Sequence, residues 1–134
     1  RTDALAAVNL EEALARMEAA RQAGADASFV EAPGSIEQLK EVGKRAPKPL
    51  VANMIEGGKT PVLARDQLGQ MGFQLIVYPL TGVFAAAHAI QAIYQKLSDD
   101  QTTLGQHDQL MRFDQFNALI GVEEKFAIAE KFGA

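Results

Sequence analysis

The sequence predicts an α/β fold with a parallel sheet, because three short apolar runs alternate with helix-forming segments. The runs lie at residues 27–30, 49–52 and 73–78. Each is followed by turn-forming residues, as expected of strands that end at a loop. The segments between the runs are long enough for the crossover that joins parallel strands. This alternation is typical of doubly wound sheets and barrels.

The predicted helices begin and end at recognisable capping residues. Asn9 with Glu12, and Ser35 with Gln38, have the spacing of a capping box, while Gly24 is expected just past the end of the first helix. No element is evident before Asn9. Four further helices are predicted at about 66–71, 82–97, 113–120 and 122–132.

Composition argues against several classes of protein. The 134 residues carry a net charge of −4, which disfavours a nucleic-acid partner, since such proteins present a basic surface. No apolar run is long enough to span a membrane. There is no cysteine, and therefore no disulfide, thiolate metal site or cysteine nucleophile. A cytoplasmic protein without nucleic-acid or membrane partners is expected.

The number of strands predicts half of a barrel. An eight-stranded barrel needs about 250 residues, whereas a three-stranded α/β domain would leave apolar sheet edges uncovered. If Arg1 marks the end of a further strand, the chain is the C-terminal half of a (β/α)8 TIM barrel from a longer protein, about strands 5–8. Residues 1–97 then form the βα units, 98–106 a polar linker and 107–134 additional C-terminal helices.

Polar residues at the strand ends are the candidate site. Glu31 and Asn53 each follow an apolar run, and the loops at the carboxyl ends of parallel strands surround the ligand in such folds. A loop containing Gly57 and Gly58 comes directly after Asn53. From position alone, a salt bridge is the favoured role of Glu31, and Asn53 suits a turn as well as it suits a ligand contact.

Five motifs carry a resemblance to a known family. They are RTDA at 1–4, EALARMEAARQAGAD at 12–26, FVEAP at 29–33, ANMIEGGKTP at 52–61 and MGFQLIVYPLTG at 71–82. In this order the chain resembles the isocitrate lyase/phosphoenolpyruvate mutase superfamily. The form ANMIEGGKTP is most similar to the branch that contains petal death protein, dimethylmalate lyase, oxaloacetate-acting enzymes and carboxyphosphonoenolpyruvate mutase.

The resemblance implies a barrel enzyme that binds Mg²⁺ and stabilises an enolate while a C–C or P–C bond breaks. It also implies that the last helix is exchanged between subunits of a homo-oligomer, a tetramer. The family's metal-binding aspartates, substrate loop and mobile gate lie on earlier strands. No metal ligand is therefore expected in this chain, and the Mg²⁺ ligands are expected mainly in the N-terminal half.

The resemblance assigns roles to four residues. Arg1 is expected to hold the substrate carboxylate and the enolate oxygen, since a guanidinium makes permanently charged, bidentate contacts. Glu31 is expected beside Arg1, and these two are the candidate catalytic residues. Asn53 and Thr81 are expected to bind substrate with them, although Arg1 also suits an exposed terminal arginine and Thr81 a helix cap.

Three nearby features bear on the substrate. Glu56 and Lys59 either line the mouth of the site or are solvated loop residues. The methylisocitrate lyase branch has an arginine in the helix after Tyr-Pro-Leu, whereas this chain has no cation at 82–85. A small 2-oxo or 2-hydroxy dicarboxylate is therefore favoured over a tricarboxylate, with Arg112 as a possible alternative source of positive charge.

Three functions remain open from the sequence. The first is a Mg²⁺-dependent lyase that cleaves a C–C bond of a small dicarboxylate through an enolate. The second is a phosphonomutase or phosphonate-acting relative, and the third is an inactive fragment of such an enzyme. The apolar faces of the two C-terminal helices favour packing on another chain.

Overall fold

A computed structural model describes residues 1–133, which contain three strands and seven α-helices. The strands are β1 (Ser28–Phe29), β2 (Leu50–Asn53) and β3 (Leu75–Val77). The helices are α1 (Ala4–Ala7), α2 (Leu10–Gln22), α3 (Ile36–Arg45), α4 (Arg65–Met71), α5 (Thr81–Asp100), α6 (Phe113–Leu119) and α7 (Val122–Phe132), with a 3-10 turn at His107–Gln109. The predicted α/β class and strand–helix alternation are confirmed.

All three strands lie in one parallel sheet in the order β1–β2–β3. Thr2 extends the sheet beyond β1 through a parallel bridge to Val30. The Thr2 amide donates to the Phe29 carbonyl at 2.9 Å, and the Glu31 amide donates to the Thr2 carbonyl at 3.0 Å. The sheet thus continues at the position where the sequence predicts the end of a further strand.

The two faces of the sheet are covered unequally. Leu50 and Ala52 point to a buried face, where helices α2, α3 and α4 supply much of the core. The opposite face, called the open face below, carries Phe29, Val51 and Leu75, and Leu75 is 53% exposed. Since side chains alternate along a strand, Glu31 and Asn53 belong to the open face.

The core that holds the sheet lies within residues 1–85. Its fully buried apolar side chains come from both the strands and the helices. They are Ala4, Ala13, Leu14, Met17, Val30, Leu39, Val42, Ala46, Leu50, Ala52, Met54, Leu68 and Phe73. Periodic apolar residues of the sequence therefore form a contiguous core on one side of the sheet.

Helices α2 and α3 begin at the predicted caps, but neither forms the return hydrogen bond that completes a capping box. The Asn9 side chain accepts from the Glu12 amide at 2.9 Å, while the Glu12 carboxylate binds Arg16 at 2.7 Å instead of returning to Asn9. The Ser35 hydroxyl accepts from the Gln38 amide at 3.1 Å. The Gln38 side chain accepts from the amide of Gly34, one residue earlier than a capping box requires.

Helices α3 and α4 pack closely at a glycine. A Cβ added to Gly43 would lie 2.1 Å from the Met71 carbonyl oxygen, so only glycine fits without a backbone shift. The Lys48 ammonium donates to the carbonyls of Gly43 and Gly72, and its partial burial lowers its pKa. This lysine joins the end of α3 to the end of α4 just before β2 begins.

Two helical regions differ from the sequence expectation. Residues 4–7 form the short helix α1, which the pattern before Asn9 does not predict. Helix α5 continues to Asp100, so the first three residues of the predicted linker are helical. Bonds from Gln95 to Asp99 at 2.9 Å and from Lys96 to Asp100 at 3.0 Å account for this extra turn.

The chain divides into two compact units, Arg1–Ala85 and Ala86–Ala134. The second unit contains α6 and α7, both within about one residue of their predicted bounds. Among residues 86–133 no apolar side chain is fully buried. No helix within the described residues is long and apolar enough to cross a membrane.

Candidate functional site

The candidate site is a cavity of about 270 Å³ at the carboxyl edge of the sheet. Its polar lining comes from Asp3, Glu31, Asn53 and Lys59. The rest of the lining consists of small or apolar residues and one threonine: Ala6, Ala32, Ile55, Gly58 and Thr60. Because the strands are parallel, residues from the end of β2 and the segment after β1 meet at this edge.

Arg1 lies beside this cavity in a cluster with two carboxylates. Its guanidinium donates to both carboxylate oxygens of Asp3, at 2.9 and 2.8 Å, and its Nε lies 3.9 Å from Glu31 Oε2. The hydrogen bond to Asp3 is the main cause of a raised pKa for Arg1. The structure therefore brings Arg1 and Glu31 together, as the family resemblance implies.

Asp3 is a neighbour of Arg1 for which the sequence pattern predicts no role. It lies within the RTDA motif, and its position depends on how the chain folds after Thr2. The Thr2 hydroxyl accepts from the Ala4 amide at 3.2 Å, at the start of α1. In this local arrangement the carboxylate of Asp3 lines the cavity and binds Arg1, which is not itself among the lining residues.

Asn53 ends β2 with an unusual side chain environment. Its amide oxygen is buried, and no hydrogen-bond partner for it exists among residues 1–133. A buried acceptor without a partner costs about 1–3 kcal/mol. The Met54 amide donates to the Val77 carbonyl at 2.9 Å and holds the adjoining backbone in the sheet. Asn53 thus lines the cavity and carries a buried acceptor that no described residue satisfies.

The loop after β2 turns back towards the cavity at its glycines. Gly57 has φ +71°, a conformation that side chains disfavour, and the Gly58 amide donates to the Ile55 carbonyl at 3.0 Å. This turn places Lys59 and Thr60 in the cavity wall. Of the two charged residues in this loop, Lys59 lines the cavity and Glu56 does not.

Thr81 makes a different contact from the expected one. Its hydroxyl donates to the Glu56 carboxylate at 2.5 Å, and Thr81 is not among the residues that line the cavity. This hydrogen bond is the main cause of the lowered pKa of Glu56. The pair joins the loop after β2 to the start of α5, so substrate contact by Thr81 stays a prediction.

The described residues do not by themselves form a Mg²⁺ site. No group of three or more histidine, cysteine, aspartate or glutamate side chains lies together within residues 1–133. The two carboxylates in the cavity, Asp3 and Glu31, both face the Arg1 guanidinium. A hard cation such as Mg²⁺ requires several oxygen ligands, and these two are already paired with a cation.

The bond between Thr81 and Glu56 predicts a measurable titration. Replacing Thr81 by valine removes the donor, and the pKa of Glu56 is expected to rise towards its ordinary value of 4.5. Since the folded state binds this proton less tightly than the unfolded state, the bond stabilises the fold above about pH 4.5. That contribution is lost as the pH falls through the lowered pKa.

Carboxylate NMR titration of the wild type and of Thr81→Val tests this expectation. Glu37 is the internal control, because its own backbone amide and the Ser35 hydroxyl lower its pKa, and neither contact involves Thr81. A Glu56 pKa that stays unchanged in Thr81→Val would show that another group causes the shift.

Comparison with known proteins shows the family. The phosphoenolpyruvate phosphomutase family matches residues 1–98. The petal death protein of Dianthus caryophyllus is 44% identical over 132 residues, which are 98% of this chain and 42% of that protein. The 2,3-dimethylmalate lyase of Eubacterium barkeri is 37% identical over 124 residues, covering 92% of this chain and 43% of the lyase.

Solved structures agree with these matches. A crystal structure of oxaloacetate acetylhydrolase superposes with a TM-score of 0.87 at 30% identity, over 100% of this chain and 47% of that one. A 2,3-dimethylmalate lyase structure gives 0.85 at 32% identity, over 98% and 46%. The chain thus spans less than half the length of these relatives. The resemblance inferred from the motifs is confirmed: the chain belongs to the PEP mutase/isocitrate lyase superfamily.

Proposed function

We propose that this chain forms the C-terminal half of a (β/α)8 barrel lyase. The enzyme would cleave a C–C bond of a small 2-oxo or 2-hydroxy dicarboxylate through an enolate, with Mg²⁺ bound mainly by residues of the N-terminal half. The observation that carries the proposal is the meeting of Arg1, Glu31 and Asn53 at the carboxyl edge of the sheet. Lyases acting on dimethylmalate and hydrolases acting on oxaloacetate are among its relatives.

The open face of the sheet supports the half-barrel. Purely parallel sheets are normally covered on both faces, whereas here helices cover the face of Leu50 and Ala52. On the open face the apolar side chains of Phe29 and Val51 are only partly buried, and that of Leu75 is exposed. In a closed barrel these side chains would fill the interior with those of the remaining strands.

Arg1 would act on the charge that develops during cleavage. When the bond between C2 and C3 of a 2-hydroxy dicarboxylate breaks, the 2-hydroxyl loses its proton to a base and becomes a carbonyl. The electron pair of the bond passes to C3 and into the carboxylate beyond it, which becomes the enolate and gains negative charge. A guanidinium can donate to both oxygens of that group at once. The substrate would displace Asp3 from Arg1, while Glu31 at 3.9 Å keeps the guanidinium oriented. The bound Mg²⁺ would supply further stabilisation of the same negative charge.

Asn53 would bind the substrate through both ends of its amide. Its nitrogen can donate to a carboxylate, and its buried oxygen has no partner among the described residues. The hydroxyl of a 2-hydroxy acid would provide the missing donor. The hydrogen bond from that hydroxyl would offset the free-energy cost of the unpaired oxygen only while the ligand is bound.

A second candidate is phosphonate chemistry in the same cavity. The chloroplastic carboxyvinyl-carboxyphosphonate phosphorylmutase of Arabidopsis thaliana is 42% identical over 123 residues. A guanidinium binds a phosphonate as readily as a carboxylate. Turnover of oxaloacetate, dimethylmalate and phosphonopyruvate by the full-length protein would separate the two candidates. The third candidate is that the 134 residues exist as an inactive fragment of such an enzyme.

We further propose that the C-terminal helices mediate a homotetramer by helix exchange. Several large apolar side chains of α6 and α7 are exposed, with Phe113 at 81% and Phe132 at 74%. Covering each such side chain is worth about 1.5–3 kcal/mol. Removing residues 104–134 from the full-length protein should give monomers or aggregates in light scattering. An unchanged oligomer would contradict helix exchange.

A cytoplasmic location is also part of the proposal, since the composition has no feature of a membrane or secreted protein. The Arabidopsis relative, by contrast, is chloroplastic. Fractionation of cells that express the protein tests this point, and recovery in an organelle or membrane fraction would refute it.

Replacing Arg1 by lysine tests the central role of the guanidinium. Lysine keeps the positive charge but offers a point charge in place of a planar pair of donors. In the full-length enzyme, Arg1→Lys should lower kcat/KM by roughly 10- to 100-fold. Arg16→Lys is the matched control, since Arg16 is an exposed arginine that pairs with Glu12 on α2. Near-normal kcat/KM for Arg1→Lys would show that Arg1 does not hold the substrate.

A further inference from the structure

We propose that Lys59 determines specificity by binding the second carboxylate of the substrate. This inference rests on the proposed function, because it concerns the same cavity. It adds which residues hold the two carboxylates of that substrate: Arg1 binds one and Lys59 binds the other. A related acid with a single carboxylate would be a poor substrate.

The position of Lys59 supports this role. It lines the cavity with Glu31 and Asn53, although it lies six residues beyond the end of β2. The turn through Gly57 and Gly58 returns the chain to the cavity at this point. The lysine therefore lines the same cavity as Asn53.

The charges around the cavity support it independently. Asp3 and Glu31 both lie within ion-pair distance of Arg1. Lys59 makes no ion pair within 4.0 Å among the residues that the structure describes. The acid nearest to it in sequence, Glu56, accepts a hydrogen bond from Thr81 instead. Lys59 is thus a cation in the cavity wall without a carboxylate partner within ion-pair distance in residues 1–133.

A dicarboxylate supplies the anion that this arrangement lacks. Its two carboxylates carry two negative charges, whereas Arg1 is already shared with two acids of the protein. An ammonium on a flexible stem can follow a terminal carboxylate without the planar geometry that a guanidinium requires. Arg1 would then fix the reacting end of the substrate, and Lys59 would select for the charge at the other end.

The test compares two substrates in the full-length protein. The first is the dicarboxylate that it cleaves, oxaloacetate or 2,3-dimethylmalate, and the second is its methyl ester at the carboxylate next to the 2-oxygen, which is the end away from the enolate. For the dicarboxylate, Lys59→Met should raise KM by roughly ten- to hundredfold with a smaller change in kcat. For the ester, the KM of Lys59→Met should equal that of the wild type. The variant Lys59→Arg, which keeps a positive charge, should retain most of the preference for the dicarboxylate over the ester.

Lys40→Met is the matched control, because it removes the same charge from an exposed lysine on α3 that lies outside this cavity. Within one variant, the ratio of kcat/KM for the dicarboxylate to kcat/KM for the ester does not depend on how much of the protein is folded. The two substrates would show the same ratio of kcat/KM in Lys59→Met as in the wild type if neither lost activity or both lost it equally. That result would overturn the inference about Lys59 and would leave the proposed function intact. A wild-type protein that cleaves neither acid would instead overturn the proposed function, and this inference with it.

Discussion

The pairing register of the parallel sheet is the constraint on which the candidate site depends. The bonds between Thr2, Phe29 and Glu31, and the register that pairs Asn53 with Val77, bring successive strand ends to one edge. A slip of one residue would turn each side chain to the opposite face. Glu31 and Asn53 would then point into the helical core, where a carboxylate and an amide would be costly to bury.

Packing on the helical side keeps this register. The contact between Gly43 and Met71, and the two carbonyls bound by Lys48, hold α3 and α4 together near the start of β2. At the other end of β2, Asn53 and the glycine turn line the cavity. In parallel α/β sheets a packed scaffold commonly positions the loops that carry binding residues, and this chain shows the same division between packed helices and polar loops.

Much of the fold could be predicted because local signals determine it. These signals are the apolar runs, the caps at Asn9 and Ser35, and the glycines that end helices, and each acts over a few residues. In the structure the runs form the three strands, and helices begin after the two caps and end near those glycines. The partners of the side chains were harder to predict. Asp3 lies only two residues from Arg1, but periodicity and capping do not indicate that their side chains pair. Glu56 meets Thr81 across 25 residues of sequence, and this contact depends on tertiary approach. The motifs nevertheless identified the family and the strand ends at which the candidate site lies.

The proposed division of the active site between two halves of a barrel is tested most directly by magnesium-dependent turnover. Under identical conditions, the 134-residue chain alone and the full-length protein would be assayed for pyruvate or oxalate released from dimethylmalate or oxaloacetate. We expect product from the full-length protein and none above the blank from the chain alone, since its described residues do not form a metal site. Magnesium-dependent product formation by the isolated chain would contradict that division.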